Sequence, residues 1–176
     1  DEVGGAGEQD FTGAERLLDV FALFRHERGD LVSRQRGSAV SRDRGEHTGV
    51  IEAEIAGAPQ AGAPEGARGF VGIAFRLQSD LRTYDAFYLR PTNGRAEDQV
   101  RRNHSAQYIS HPSWTWSRSR TETPEKYESY VDLVPGTWTK IKIEVRGTEA
   151  QLYVHDQPQP TLVLKDARTA AAILAP

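Results

Sequence analysis

The stretch KIKIEVRGTEAQLYVH, residues 140–155, decides the fold class. Ile141, Ile143 and Val145 alternate with Lys140, Lys142, Glu144 and Arg146, and Leu152 and Val154 alternate with Tyr153 and His155. A repeat of two belongs to a strand buried on one face. Between the two runs, Arg146-Gly147-Thr148 has the composition of a tight hairpin. The device recurs upstream. Ile51, Ala53 and Ile55 oppose Glu52 and Glu54; Val71, Ile73 and Phe75 oppose Gly72, Ala74 and Arg76; Asp85, Phe87 and Leu89 oppose Tyr84, Tyr88 and Arg90. TLVLK follows Pro158 and Pro160, and shorter strand candidates lie at 31–34, 37–42, 106–110 and 127–133. The loop of Gly, Pro and Ala at 57–69, Pro91-Thr-Asn-Gly94 and Pro135-Gly136 punctuate the runs. About ten short strands without intervening helices predict an all-β, two-sheet antiparallel sandwich. Such a fold commits its apolar residues to one face per strand and frees the outer polar faces to carry a site.

At the N-terminus, residues 1–10 mix acid and Gly without periodicity and read as a flexible leader. Leu17, Leu18, Phe21 and Phe24, with Thr12 and Glu15 ahead of them, predict one short helix over 14–25. At roughly 150 residues per domain, residues 11–176 form one domain. With 22 Lys+Arg against 25 Asp+Glu, the charge of −3 argues against duplex DNA as a partner. No run reaches the ~18 apolar residues of a membrane span, and the first residues do not form an export signal. The absence of Cys removes disulfides and thiolate chemistry.

Four runs carry a resemblance: GFVGIAFRLQSDLRTYDAFYLRPTNG (69–94), RRNHSAQYISHP (101–112), YESYVDLVPGTWTKIKIEVRG (127–147) and AQLYVHDQPQPTLVLKD (150–166). Together they resemble concanavalin A-like jelly-roll domains of the laminin-G-like and 3-keto-disaccharide-hydrolase-like type. The resemblance spans residues 30–166 and implies a jelly-roll topology. It also implies a carbohydrate partner and an extracellular or periplasmic setting, though the superfamily holds lectin modules, glycosidases and lyases alike. Such relatives close with one further strand. Here the chain ends as DARTAAAILAP, so either 171–174 forms a short edge strand or the domain stops before its closing strand.

Three groups of side chains could carry chemistry. Glu52 and Glu54 point the same way from one strand, a spacing at which two carboxylates can divide acid and base roles in glycoside cleavage. The Glu-x-Asp-x-x-Glu signature of jelly-roll glycosidases is incomplete here, and solvated Glu residues paired to Arg across the sheet fit as well. Arg76, Tyr84, Tyr88 and Arg90 offer rings for sugar faces and guanidinium groups for hydroxyls. The connection from Pro91 to Arg120 adds Asn93, Arg95, Arg102, Asn103, His104, His111 and Trp114, with Trp116 expected on the same face as Trp114. His104, or His111 in its place, is a candidate acid/base group beside Glu52 and Glu54.

No spacing defines a metal site; Asp80, Asp85 and Asp98 are oxygen ligands for a structural calcium at most. The leading expectation is a carbohydrate-binding jelly roll using a concave sheet face. The alternatives are a glycoside hydrolase or lyase, and a non-catalytic structural or protein-interaction module. Whether the chain is an enzyme stays open at this point, as do the sugar and the oligomeric state.

Overall fold

Alternating runs satisfy their backbone groups only by pairing, and here they pair into two antiparallel sheets. The structure, a computed structural model, describes residues 31–36, 48–78 and 80–168. One sheet has five strands, β1 (Leu31–Arg36), β2 (Thr48–Pro59), β7 (Thr139–Arg146), β8 (Glu149–Val154) and β9 (Leu162–Leu164), in that spatial order. The other has four, β3 (Val71–Phe75), β4 (Tyr84–Leu89), β5 (Ala106–His111) and β6 (Glu128–Ser129), in sequence order. The chain enters the second sheet after β2 and returns as β7, which pairs with β2. The β7–β8 hairpin closes on Gly147-Thr148, with Arg146 opposite Glu149 and Gly147 at φ 53°, a left-handed conformation that glycine adopts freely.

The inner faces meet in one core. Ile51, Ile55, Ile143 and Leu152 come from the five-stranded sheet, and Ile73, Phe75, Phe87 and Tyr108 from the four-stranded one. Each such side chain contributes about 1.5–3 kcal/mol on burial, so the expected all-β sandwich has a sound physical basis. The anticipated helix over 14–25, the leader at 1–10, the strand candidate at 37–42 and the closing segment at 171–174 lie outside the described residues.

Three expectations are corrected. The segment 91–120 is not one irregular connection. It holds a 3₁₀ turn at Pro91–Asn93, helix α1 (Gln99–Asn103), the central strand β5 and the start of helix α2 (Trp116–Glu122). Asp98 caps α1 by accepting from the backbone N–H of Arg101 at 2.6 Å, a signal present in the sequence but attached to a helix too short for periodicity. The candidate at 127–133 shrinks to two strand residues, Glu128 and Ser129.

The outer face of the four-stranded sheet is also buried rather than free and polar. Gly72, Ala74 and Ala86 make a floor of small residues under Tyr88 and Ile109, with Phe70 and Tyr84 packed alongside. A Cβ on Gly72 would sit 2.5 Å from the Tyr88 Cβ and 2.4 Å from the Phe87 carbonyl oxygen, so this floor admits no larger residue. β3 is consequently buried on both faces, which an alternating pattern built from Gly and Ala does not announce.

Candidate functional site

Strand register builds the site. Tyr88 of β4 lies opposite Gln107 of β5, and Gln107 opposite Glu128 of β6, so three polar side chains form one row across the outer face of the sheet. Arg90, the residue that follows β4, lies two positions beyond Tyr88 and joins the row. Its Nη2 donates to the Tyr88 hydroxyl at 2.8 Å and to Gln107 Oε1; its Nη1 donates to the His104 carbonyl at 2.9 Å and to Glu128 Oε1 at 3.2 Å. The Tyr88 hydroxyl donates in turn to Gln107 Oε1 at 2.8 Å. The Arg90 guanidinium lies 5.0 Å from the Tyr88 ring centre and 5.6 Å from that of Phe70, a cation–π arrangement that favours a buried cation. Burial lowers the Arg90 pKa and raises that of Tyr88 to about 12, so the phenol stays protonated and can donate.

Two further groups reach the row from the segment after β4. Arg120 of α2 donates to Glu128 Oε1 from Nη2 at 2.7 Å and to both carboxylate oxygens from Nε, at 3.1 and 3.2 Å. His104, the C-cap of α1, places Nε2 3.4 Å from Glu128 Oε2. Desolvation holds the His104 pKa below its ordinary value, reinforced by Arg120 and Arg90 and opposed by Glu128. Arg120 also links the buried row to the surface, because its guanidinium lies 5.2 Å from the ring of Trp116, which is 51% exposed.

One atom in this network has no partner. Gln107 is fully buried, and its Nε2 makes no hydrogen bond. Rotating the amide does not help: Arg90 has only donors, so the oxygen must face it. A buried amide donor left unmade costs about 1–3 kcal/mol.

Of the residues singled out in the sequence, Tyr88, Arg90 and His104 meet here, with Trp116 reached through Arg120. The others do not. Glu52 and Glu54 point outward from β2 in the other sheet, facing Lys142 and Lys140 across the strand pair, while Ile51, Ala53 and Ile55 turn to the core. They therefore occupy the opposite outer face from His104 and cannot share a reaction with it. Arg76 leaves its expected face because its φ is 56°, which turns the side chain inward. It pairs with Asp85 at 3.3 Å and donates to the Gly147 carbonyl of the β7–β8 hairpin. Tyr84 stacks on His111 at 5.1 Å, and His111 Nδ1 lies 2.6 Å from the Arg82 carbonyl.

In the 91–120 segment, Asn93 donates to the His104 carbonyl and accepts from Arg101, holding the loop. Arg95 forms a two-pronged exposed pair with Asp132, Arg102 binds the Glu97 carbonyl and Gln99, and Asn103 accepts from Gln99. Trp114 is buried against Tyr127 while Trp116 opens α2, so the two do not share a face. Gln107, Glu128 and Arg120 are the site residues missed. Only the pairing register reveals them, since Gln107 falls on the Tyr88 face once β5 is aligned with β4.

The three aspartates considered for calcium stand apart: Asp80 binds Arg82 and Thr83, Asp85 binds Arg76 and Tyr108, and Asp98 caps α1. Among the described residues no three His, Asp or Glu groups cluster as metal ligands, and no helix is long and apolar enough to cross a membrane. Comparison with family models, curated proteins and solved structures finds no match for this chain.

Proposed function

We propose that the chain is a carbohydrate-binding domain of the concanavalin A-like jelly-roll kind, taking its glycan at the Tyr88–Gln107–Glu128 row. The two-sheet order, with a four-strand meander inserted between the paired strands β2 and β7, supports the jelly-roll reading. The observation that carries the functional reading is Arg120, which joins the unmatched polar floor around Gln107 to the exposed indole of Trp116. Sugars present apolar C–H faces that stack on an aromatic ring and hydroxyls that satisfy buried polar groups, and this site offers both surfaces together. A glycosidase that pairs His104 with Glu52 and Glu54 is not favoured, because those carboxylates project from the other sheet, away from the Tyr88–Gln107–Glu128 row.

A glycan array followed by calorimetric titration tests the proposal. Trp116→Ala and Gln107→Leu should each weaken binding about tenfold or more, the loss of one stacking surface or one buried hydrogen bond. Glu52→Gln combined with Glu54→Gln should leave affinity unchanged. A folded wild-type domain with no response to any glycan sinks the reading, and equal loss in the Glu52/Glu54 variant moves the site to the other sheet.

A further inference from the structure

Resting on the glycan reading, we infer that the bound sugar is acidic, and that a uronate-type carboxylate is the group received between Gln107 and Arg120. The inference comes from counting what the network has left to offer. Every oxygen acceptor in it is occupied. Glu128 receives Arg90, Arg120 and His104; Gln107 Oε1 receives Tyr88 and Arg90; the Tyr88 hydroxyl receives Arg90 while donating to Gln107. Beside one ring nitrogen of the neutral His104, what remains is donors: both protons on Gln107 Nε2, and Arg120 Nη1, which has no hydrogen bond among the described residues. A neutral sugar hydroxyl brings a donor wherever it brings an acceptor, whereas a carboxylate brings acceptors alone.

Charge points the same way. Two guanidinium groups, Arg90 and Arg120, face the single carboxylate of Glu128, so with His104 neutral the network carries 2 − 1 = +1. The next shell is balanced, with Arg68 acting on Arg90 and Glu125 acting on His104, and it does not remove the surplus. Arg90 and Glu128 are buried, where an uncompensated charge is unfavourable, and an arriving anion offsets it. Arg120 is the accessible member: its side chain is 34% exposed, and with Nε and Nη2 engaged by Glu128 its Nη1 remains to make a charge-assisted hydrogen bond to a carboxylate. Trp116 beside it would stack the ring that carries the acid.

The test uses the whole chain and four trisaccharides: trigalacturonate, its methyl ester, a sulfated trisaccharide and cellotriose. The ester keeps the ring and removes the charge. Trigalacturonate should bind about tenfold or more tightly than its ester, and added salt should reduce that preference. Arg120→Gln should bring the acid-to-ester ratio close to one, with the circular dichroism spectrum unchanged; Gln107→Leu serves as the second variant if that one fails to fold. Equal binding of acid and ester overturns the carboxylate assignment and leaves the glycan reading intact. Preference for a sulfated trisaccharide over the uronate also overturns it. If none of the saccharides binds, the uronate assignment falls, while the glycan reading stands or falls on the array.

Discussion

Arg76 and Asp85 illustrate how one backbone angle relocates a side chain. Strand alternation puts Arg76 outward, beside Tyr88 and Arg90, yet at φ 56° it turns to the core side and meets Asp85, which is fully buried. Asp85 also accepts from the Tyr108 hydroxyl at 2.7 Å, and Arg76 reaches the Gly147 carbonyl, so the pair ties β4, β5 and the β7–β8 hairpin together. Breaking a buried pair by removing one partner strands the other charge, typically at about 3–5 kcal/mol. Asp85→Ala should lower the unfolding free energy in urea by about that amount, whereas Asp85→Ala in an Arg76→Leu background should be much milder. A loss near zero for Asp85→Ala alone would mean that Arg76 finds water instead. The sequence shows Asp85 on the same face as Phe87 and Leu89, which is right, but it contains no signal for the left-handed turn at Arg76.

Strands were easier to read than the elements between them. β4, β7 and β8 follow from clean alternation, and their faces are those expected. The short helices α1 and α2 escape because five or seven residues are too few to display a helical period. The inserted sheet hides its second face for a different reason: Gly72, Ala74 and Ala86 give no hydrophobic signal but permit close packing above them. This has a measurable consequence. Gly72 lies opposite Tyr88 in the β3–β4 register, and an added Cβ would come within 2.7 Å of the Tyr88 Cα. Those contacts are backbone or fixed side-chain atoms, so they cannot swing away. Gly72→Ala should destabilise the fold by about 1–3 kcal/mol through overpacking, read as a lower midpoint in chemical denaturation. On the proposed glycan reading, displacing Tyr88 should also weaken binding, since Tyr88 donates to Gln107 Oε1. Unchanged stability would show that β3 can slide away from β4.

Across the whole molecule the two outer faces have separated roles. The five-stranded sheet presents a charged exterior of the ordinary kind, with Lys140 held by Asp156 at 2.9 Å and Lys142 by Glu144 at 2.8 Å. The four-stranded sheet presents the buried Arg90–Glu128 network. The net charge of −3 gives no hint of this, since the local surplus of positive charge appears only when β4, β5, β6 and α2 are brought together. Stability should record the difference. His104 has an ordinary pKa of 6.5, and in the folded chain desolvation together with Arg120 and Arg90 lowers it, against the opposing pull of Glu128 and Glu125. Below pH 6.5 the unfolded chain therefore binds this proton more readily than the native one. Linkage then makes stability rise with pH in that window: the contribution of neutral His104 is present above 6.5 and is lost as pH falls through the lower, folded value. Glutamine at this position cannot titrate. Denaturation of His104→Gln and wild type at a series of pH values should give curves that run parallel above pH 6.5 and converge or cross below it, as the wild type loses stability that the variant does not. Residues that do not touch position 104 are the same in both proteins and drop out of the difference. Parallel curves throughout would show that His104 is solvated in the folded chain, and that the Glu128 network ends at Arg120.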